Sequence, residues 1–229
     1  MKNKTFKFMS GVVLVVGLGV GANAQAGYVD FTFDGDNDAT LGTSVNFGSA
    51  GYQVAVQGFY QSSPGLGSWL STQVARNTDA LGVNRPGTAD QPNQLDSFGT
   101  EVDGLLFDFG NVSWPSLRIT FSMRAAFDQM DIWVGDTFNA SNASPLAVQL
   151  LSNSSLSSNV YDIASFNHRY LFIAAADDGD AEADCTAAGA NCFRVDNIRA
   201  IPEPGSLALL GCGLLAMGVP LRRRILAKR

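Results

Sequence analysis

The central part of this 229-residue chain has no lysine. Lys2, Lys4 and Lys7 lie at one end and Lys228 at the other. Between residues 27 and 200 the basic residues are seven arginines, set against twenty acidic residues, a formal charge of −13. A surface of that sign repels phosphodiesters and favours neutral ligands or divalent cations, so nucleic acid is excluded as a partner. Histidine is as scarce: His168 is the only one, flanked by Asn167 and Arg169. There is no Gly-x-Ser-x-Gly elbow, no His-Glu-x-x-His and no phosphate-cradling glycine loop. A non-enzymatic protein is expected. The competing reading is a polysaccharide hydrolase that pairs two of the twenty carboxylates, which sequence alone does not select.

Long apolar runs are also missing, except at the two ends. Lys2, Lys4 and Lys7 form a basic n-region, and Gly11 to Gly21 an apolar h-region. Ala22-Asn-Ala24 and Ala24-Gln-Ala26 are small-x-small cleavage sites, so residues 1–26 read as a secretory signal peptide. At the other end Ser206 to Leu221 is uncharged over 16 residues. As a helix it measures about 24 Å, a minimal transmembrane span. Arg222, Arg223 and Arg224 follow, with Lys228 and Arg229, and predict a cytoplasmic C-terminus. Pro202 and Pro204 keep the approach to the span extended.

Pro202-Glu203-Pro204, a short span and an arginine cluster, in that order, resemble the PEP-CTERM sorting signal of Gram-negative bacteria. The resemblance covers residues 201–229; Cys212 and Pro220 within the span depart mildly from the pattern. It implies export by the secretion machinery and a transient inner-membrane anchor. An exosortase then recognises the Pro-Glu-Pro region and cuts near it, and the protein passes to the cell surface or extracellular matrix. Exopolysaccharide is the partner implied there. The same tail occurs on ice-binding proteins, but the flat Thr-x-Thr array that ice binding requires is absent from residues 27–200.

Residues 27–200 are enough for one domain. No stretch shows a helical period, and apolar alternation recurs between Gly, Asn, Asp, Ser and Pro clusters. Leu117, Ile119, Phe121 and Met123 against Arg118, Thr120, Ser122 and Arg124 is the clearest half-buried strand. Further strands are expected over 28–33, 52–60, 102–109, 130–134, 146–151, 170–175 and 193–198. The expectation is an all-β fold, a single jelly-roll-like β-sandwich followed by one C-terminal transmembrane helix. Residues 61–98, rich in turn formers and poor in apolar residues, look like one long loop, a length that is unusual in a compact domain and that, where it occurs, is usually functional. Leu81-Gly-Val83, Gln94-Leu-Asp96, Glu101 and Leu106-Phe-Asp-Phe109 also resemble a scattered pattern in secreted proteins with this tail, which implies a β-sandwich ectodomain.

Asp34-Gly-Asp36-Asn-Asp38 alternates carboxylates on a turn, an arrangement that gathers oxygens around a hard cation such as calcium. Ala39 and Val45 stand where an EF-hand needs Gly and Glu, so it is not an EF-hand; a solvated acidic turn is the plain alternative. Asp196, near the end of the last expected strand, resembles the structural calcium ligand of carbohydrate-binding jelly rolls. That resemblance implies neighbouring first and last strands, with Asp34, Asp36 and Asp196 sharing the ion. A second acidic cluster runs from Asp177 to Asp184. Cys185 and Cys192, seven positions apart in an exported protein, are expected to form a disulfide. Tyr60, Trp69, Trp114 and Trp133 are the candidate platforms for sugar stacking, with core burial as the alternative. The reading for function is a non-enzymatic surface or matrix protein that binds glycans or acts as an adhesin.

Overall fold

Strand β9, Ser116–Ser122, shows how this sequence builds a sheet. Leu117, Ile119 and Phe121 are buried while Arg118, Thr120 and Ser122 turn the other way, because side chains alternate faces with a period of two. The same alternation places Val54 and Val56, Leu105 and Phe107, and Leu171 and Ile173 in one interior. A computed structural model describes residues 27–33, 39–62, 67–77, 80–85, 94–98, 101–112, 114–122, 128–176 and 192–201. Among these it is all-β.

In chain order the strands are β1 (Val29–Thr32), β2 (Ala39–Gly42), β3 (Ser44–Ser49), β4 (Tyr52–Gln61), β5 (Leu70–Arg76), β6 (Leu81–Asn84) and β7 (Leu95–Phe98). There follow β8 (Glu101–Asp108), β9, β10 (Gln129–Gly135), β11 (Val148–Ser155), β12 (Val160–Ile163), β13 (Tyr170–Ala175) and β14 (Cys192–Ile201). They form one barrel-like antiparallel sheet in the order β11-β10-β13-β8-β4-β5-β6-β14-β9-β12. Off this path, β1 pairs with β14, β2 with β5, β3 with β4, and β7 with both β8 and β14.

The sheet folds over at β5. Its residues Leu70–Thr72 pair with β4, whereas Gln73–Arg76 pair with β6. Gly58 on β4 sits against this corner: a Cβ there would stand 3.0 Å from the Gln73 carbonyl carbon and from Thr72 O. Only a residue without a side chain lets the two backbones approach so closely.

The interior is packed with rings. Phe31 meets Phe109 and Trp114 edge-on, each at 6.1 Å between centroids. The opposite face of β8, β10 and β13 is buried as well. There Trp133, Phe172 and Leu106 pack with Trp69 beneath residues 136–147, which contribute Leu146 to the cluster. Trp69 fixes that cover, its backbone N–H donating to Ala140 O at 2.6 Å and its Nε1–H to Ala143 O at 3.1 Å.

The strands expected from alternation all occur. The single loop expected over 61–98 does not, because β5, β6 and β7 lie within it. Val74, Leu81, Val83 and Leu95 are fully buried there, in pieces too short to show a period between turn formers. The signal peptide 1–26, the span 206–221 and the rest of the tail from residue 202, with Pro202, Glu203, Pro204, Arg222, Arg223 and Arg224, lie outside the described residues. So do Asp34, Asp36, Asp38, the cluster 177–184 and Cys185. Among the described residues no helix is long and apolar enough to cross a membrane.

Candidate functional site

The interior rows of β4 and β8 change character at one end. Val54 and Val56 lead along β4 to Tyr60, and Phe107 and Leu105 lead along β8 to Asp103. Tyr60 and Asp103 are directly opposed in the register. Barrel ends of this kind are frequent ligand sites.

Arg85, just past β6, fills that end. It is 4% exposed, with Asp103 at 0% and Asp96 at 3%. Arg85 Nε lies 3.1 Å from Asp103 Oδ1, and Nη2 donates to Asp96 Oδ1 at 3.4 Å. Nη1 pairs with Glu101 Oε2, the most exposed of these three carboxylates. A guanidinium presents a rigid fork, so one arginine can satisfy carboxylates from three directions. Its position is set from β5, where the Thr72 hydroxyl donates to Asn84 O at 2.9 Å, on the residue preceding Arg85. Arg85 Cζ also lies 5.8 Å from the centre of the Tyr60 ring.

Above this network a depression of about 420 Å³ is lined by Thr43, Tyr60, Ser71, Thr72, Gln73, Arg85 and Glu101. It offers an aromatic ring, a fixed cation, a fixed carboxylate, an amide and hydroxyls in one place. Groups of these kinds suit the C–H faces and hydroxyls of a polyol. Sequence reading found Tyr60 but missed Arg85, Asp96, Glu101 and Asp103 as a group, since no motif spans their 19 positions.

The three tryptophans are not sugar platforms. Trp114 is 0% exposed and Trp69 and Trp133 are 4% exposed. Trp133 does point away from Met130, Ile132 and Val134, as alternation requires, but the 136–147 segment covers that face.

His168 sits in a second depression, about 430 Å³, where its Nδ1 lies 3.3 Å from Asp136 Oδ2. The Arg169 backbone N–H, which donates to Asp136 Oδ1, and the His168 contact hold Asp136 below the usual carboxylate range. Arg169 forks onto Asp108 at 2.8 and 2.7 Å, which lowers Asp108 and raises Arg169. No Ser, Thr or Cys nucleophile is among the described residues that line this depression.

Asp196 lies at the irregularity where β14 shifts register against β9. Its carbonyl accepts the Phe33 N–H at 3.2 Å, so the residue before Asp34 adjoins it and the first and last strands are neighbours. Among the described residues no group of three His, Cys, Asp or Glu side chains is arranged to hold a metal. In the Arg85 cluster the guanidinium occupies the place a cation would take. Cys192, opposite Asp96 on β7, is disulfide-bonded, and its partner lies outside the described residues.

Comparison with protein-family models, with curated proteins and with solved structures found no match.

Proposed function

We propose that this is a non-enzymatic exported protein, sorted by an exosortase through its PEP-CTERM-like tail, whose mature domain binds glycans of the surface or matrix. The observation that supports the binding role most directly is the Tyr60–Arg85–Glu101 end of the barrel. A saccharide needs an aromatic face for its C–H surface and directional polar partners for its hydroxyls. Arg85 and Glu101 are held by their ion pairs before any ligand arrives, which lowers the ordering cost of binding. The fold is read as a jelly-roll-like sandwich bent into the barrel-like sheet. Calcium at Asp34, Asp36 and Asp38 with Asp196 belongs to the same proposal, supported by the pairing of β1 with β14. A Cys185–Cys192 bridge also belongs to it, supported by the bonded state of Cys192.

A glycan array probed with residues 27–200, with and without EDTA, tests the reading. Binding to neutral glycans that weakens in Tyr60→Ala and Glu101→Gln is expected. No binding anywhere removes the glycan role, and release of reducing sugar from exopolysaccharide turns the reading toward the hydrolase.

A further inference from the structure

Four charged side chains stand in one row across four strands. The register opposes Asp30 on β1 to Arg199 on β14, Arg199 to Arg118 on β9, and Arg118 to Asp162 on β12. Each arginine is gripped by its outer neighbour. Arg199 Nε and Nη2 donate to the Asp30 carboxylate at 2.7 and 3.2 Å, and Arg118 Nε and Nη2 to that of Asp162 at 2.7 and 2.9 Å. The two forks use the same pair of nitrogens. They leave Nη1 of both arginines without a hydrogen bond among the described residues.

The centre of the row is therefore two guanidiniums on directly opposed residues. Like charges in that relation are unfavourable, and the Arg118 charge does oppose that of Arg199. Beside them is a cavity of about 390 Å³ whose other walls include Tyr28, Leu117, Ile163, Ala164 and Ile201. The Tyr28 ring lies 4.1 Å from Arg199 Cζ and is 58% exposed.

We propose that this row is a site for a carboxylated saccharide, a hexuronate unit whose carboxylate bridges Arg118 and Arg199 while its C–H face rests on the apolar wall. Two guanidiniums whose aspartate partners fix their orientation are set to receive one planar anion. Inorganic phosphate has no use for Tyr28 and Ile201, and a neutral sugar gives the two Nη1 groups no anionic acceptor. The site is distinct from the barrel end, where three carboxylates face one arginine.

The test is calorimetric titration of the full chain in detergent with an oligoglucuronate and with a neutral oligoglucoside of equal length. The uronate is expected to bind, to weaken on raising sodium chloride, and to lose about tenfold or more in affinity in Arg118→Gln and in Arg199→Gln. Neutral-glycan binding at the barrel end is expected to stay unchanged in both. Asp162→Asn removes the competing carboxylate charge while its amide oxygen can still orient Arg118, and it is expected to tighten the uronate, an outcome that a purely structural ion pair does not give and that decides the matter if an arginine variant fails to fold. Absence of uronate binding, affinity indifferent to both arginines, or arginine-dependent binding of phosphate or anionic vesicles in place of uronate overturns the proposal.

Discussion

Gly104 lies against the ring of Phe172: a Cβ added to Gly104 would stand 2.5 Å from Phe172 Cζ and 3.1 Å from Trp69 Cζ3. The ring has nowhere to retreat, because Trp69, Phe138 and Trp133 pack around it at centroid distances of 4.7, 5.9 and 5.8 Å. Gly104→Ala therefore overpacks the cluster beneath residues 136–147. A loss of about 1–3 kcal/mol is expected in urea unfolding, since closely packed rings do not yield a methyl's width without shifting backbone. Retained stability would mean that the 136–147 cover lifts easily.

Arg85 lies against three carboxylates, Asp96, Glu101 and Asp103. Replacing it with Gln removes the Arg85 guanidinium from the buried Asp96 and Asp103. A cost of about 3–5 kcal/mol is expected, because removing one partner strands the other in low dielectric. Arg85→Lys is expected to recover only part of this, since a single ammonium cannot reach in three directions as a planar fork does. Equilibrium denaturation of the two variants at neutral pH separates these outcomes.

Strands that alternate cleanly were legible in the sequence, and β9 and β10 are the clearest cases. Strands with one or two apolar residues between turn formers were not: Val74 on β5 and Leu81 and Val83 on β6 are fully buried yet look like loop. Their burial comes from non-local pairing, with β5 between β4 and β6, which no local period encodes. Trp133 failed in the other direction. Alternation gave its face correctly, but an irregular segment three residues further along covers that face. The Arg85 cluster was illegible for a related reason, since its carboxylates come from β7 and β8 and meet only when the barrel forms. The Asp30–Arg199–Arg118–Asp162 row likewise requires four registers at once.

Calcium is expected to raise the melting temperature of residues 27–200. Asp36→Ala should abolish that rise, because a hard cation on a turn depends on every carboxylate that faces it. At a free ion concentration of about 100 times the dissociation constant, the stabilisation should approach ~2.7 kcal/mol. Calorimetric scans with calcium and with EDTA measure it directly. Superimposable scans would mean that Asp34, Asp36 and Asp38 hold no calcium.

Two carboxylates give the pH dependence opposite signs. Burial pushes Asp131 above its ordinary value of 3.8, a shift that the Asn153 N–H at 2.7 Å and Gln149 Nε2 at 3.3 Å only partly offset. The folded state thus holds that proton more tightly than the unfolded chain does, and stability falls as pH rises from 3.8 through the folded value. Asp131→Asn keeps both hydrogen bonds without the buried charge, so it is expected to stabilise the protein at neutral pH, with the gain vanishing below the unfolded value. Asp108 is the reverse case. The Arg169 fork is the main cause of its lowered value, so its contribution is present above 3.8 and is lost as pH falls through the folded value. Asp108→Asn should therefore be less stable than the parent at neutral pH and converge with it in acid. Urea unfolding of the parent and both variants between about pH 2 and pH 7 reads the two differences. Curves for the two variants that diverge from the parent in the same direction as pH rises would show that one of the two environments is misassigned.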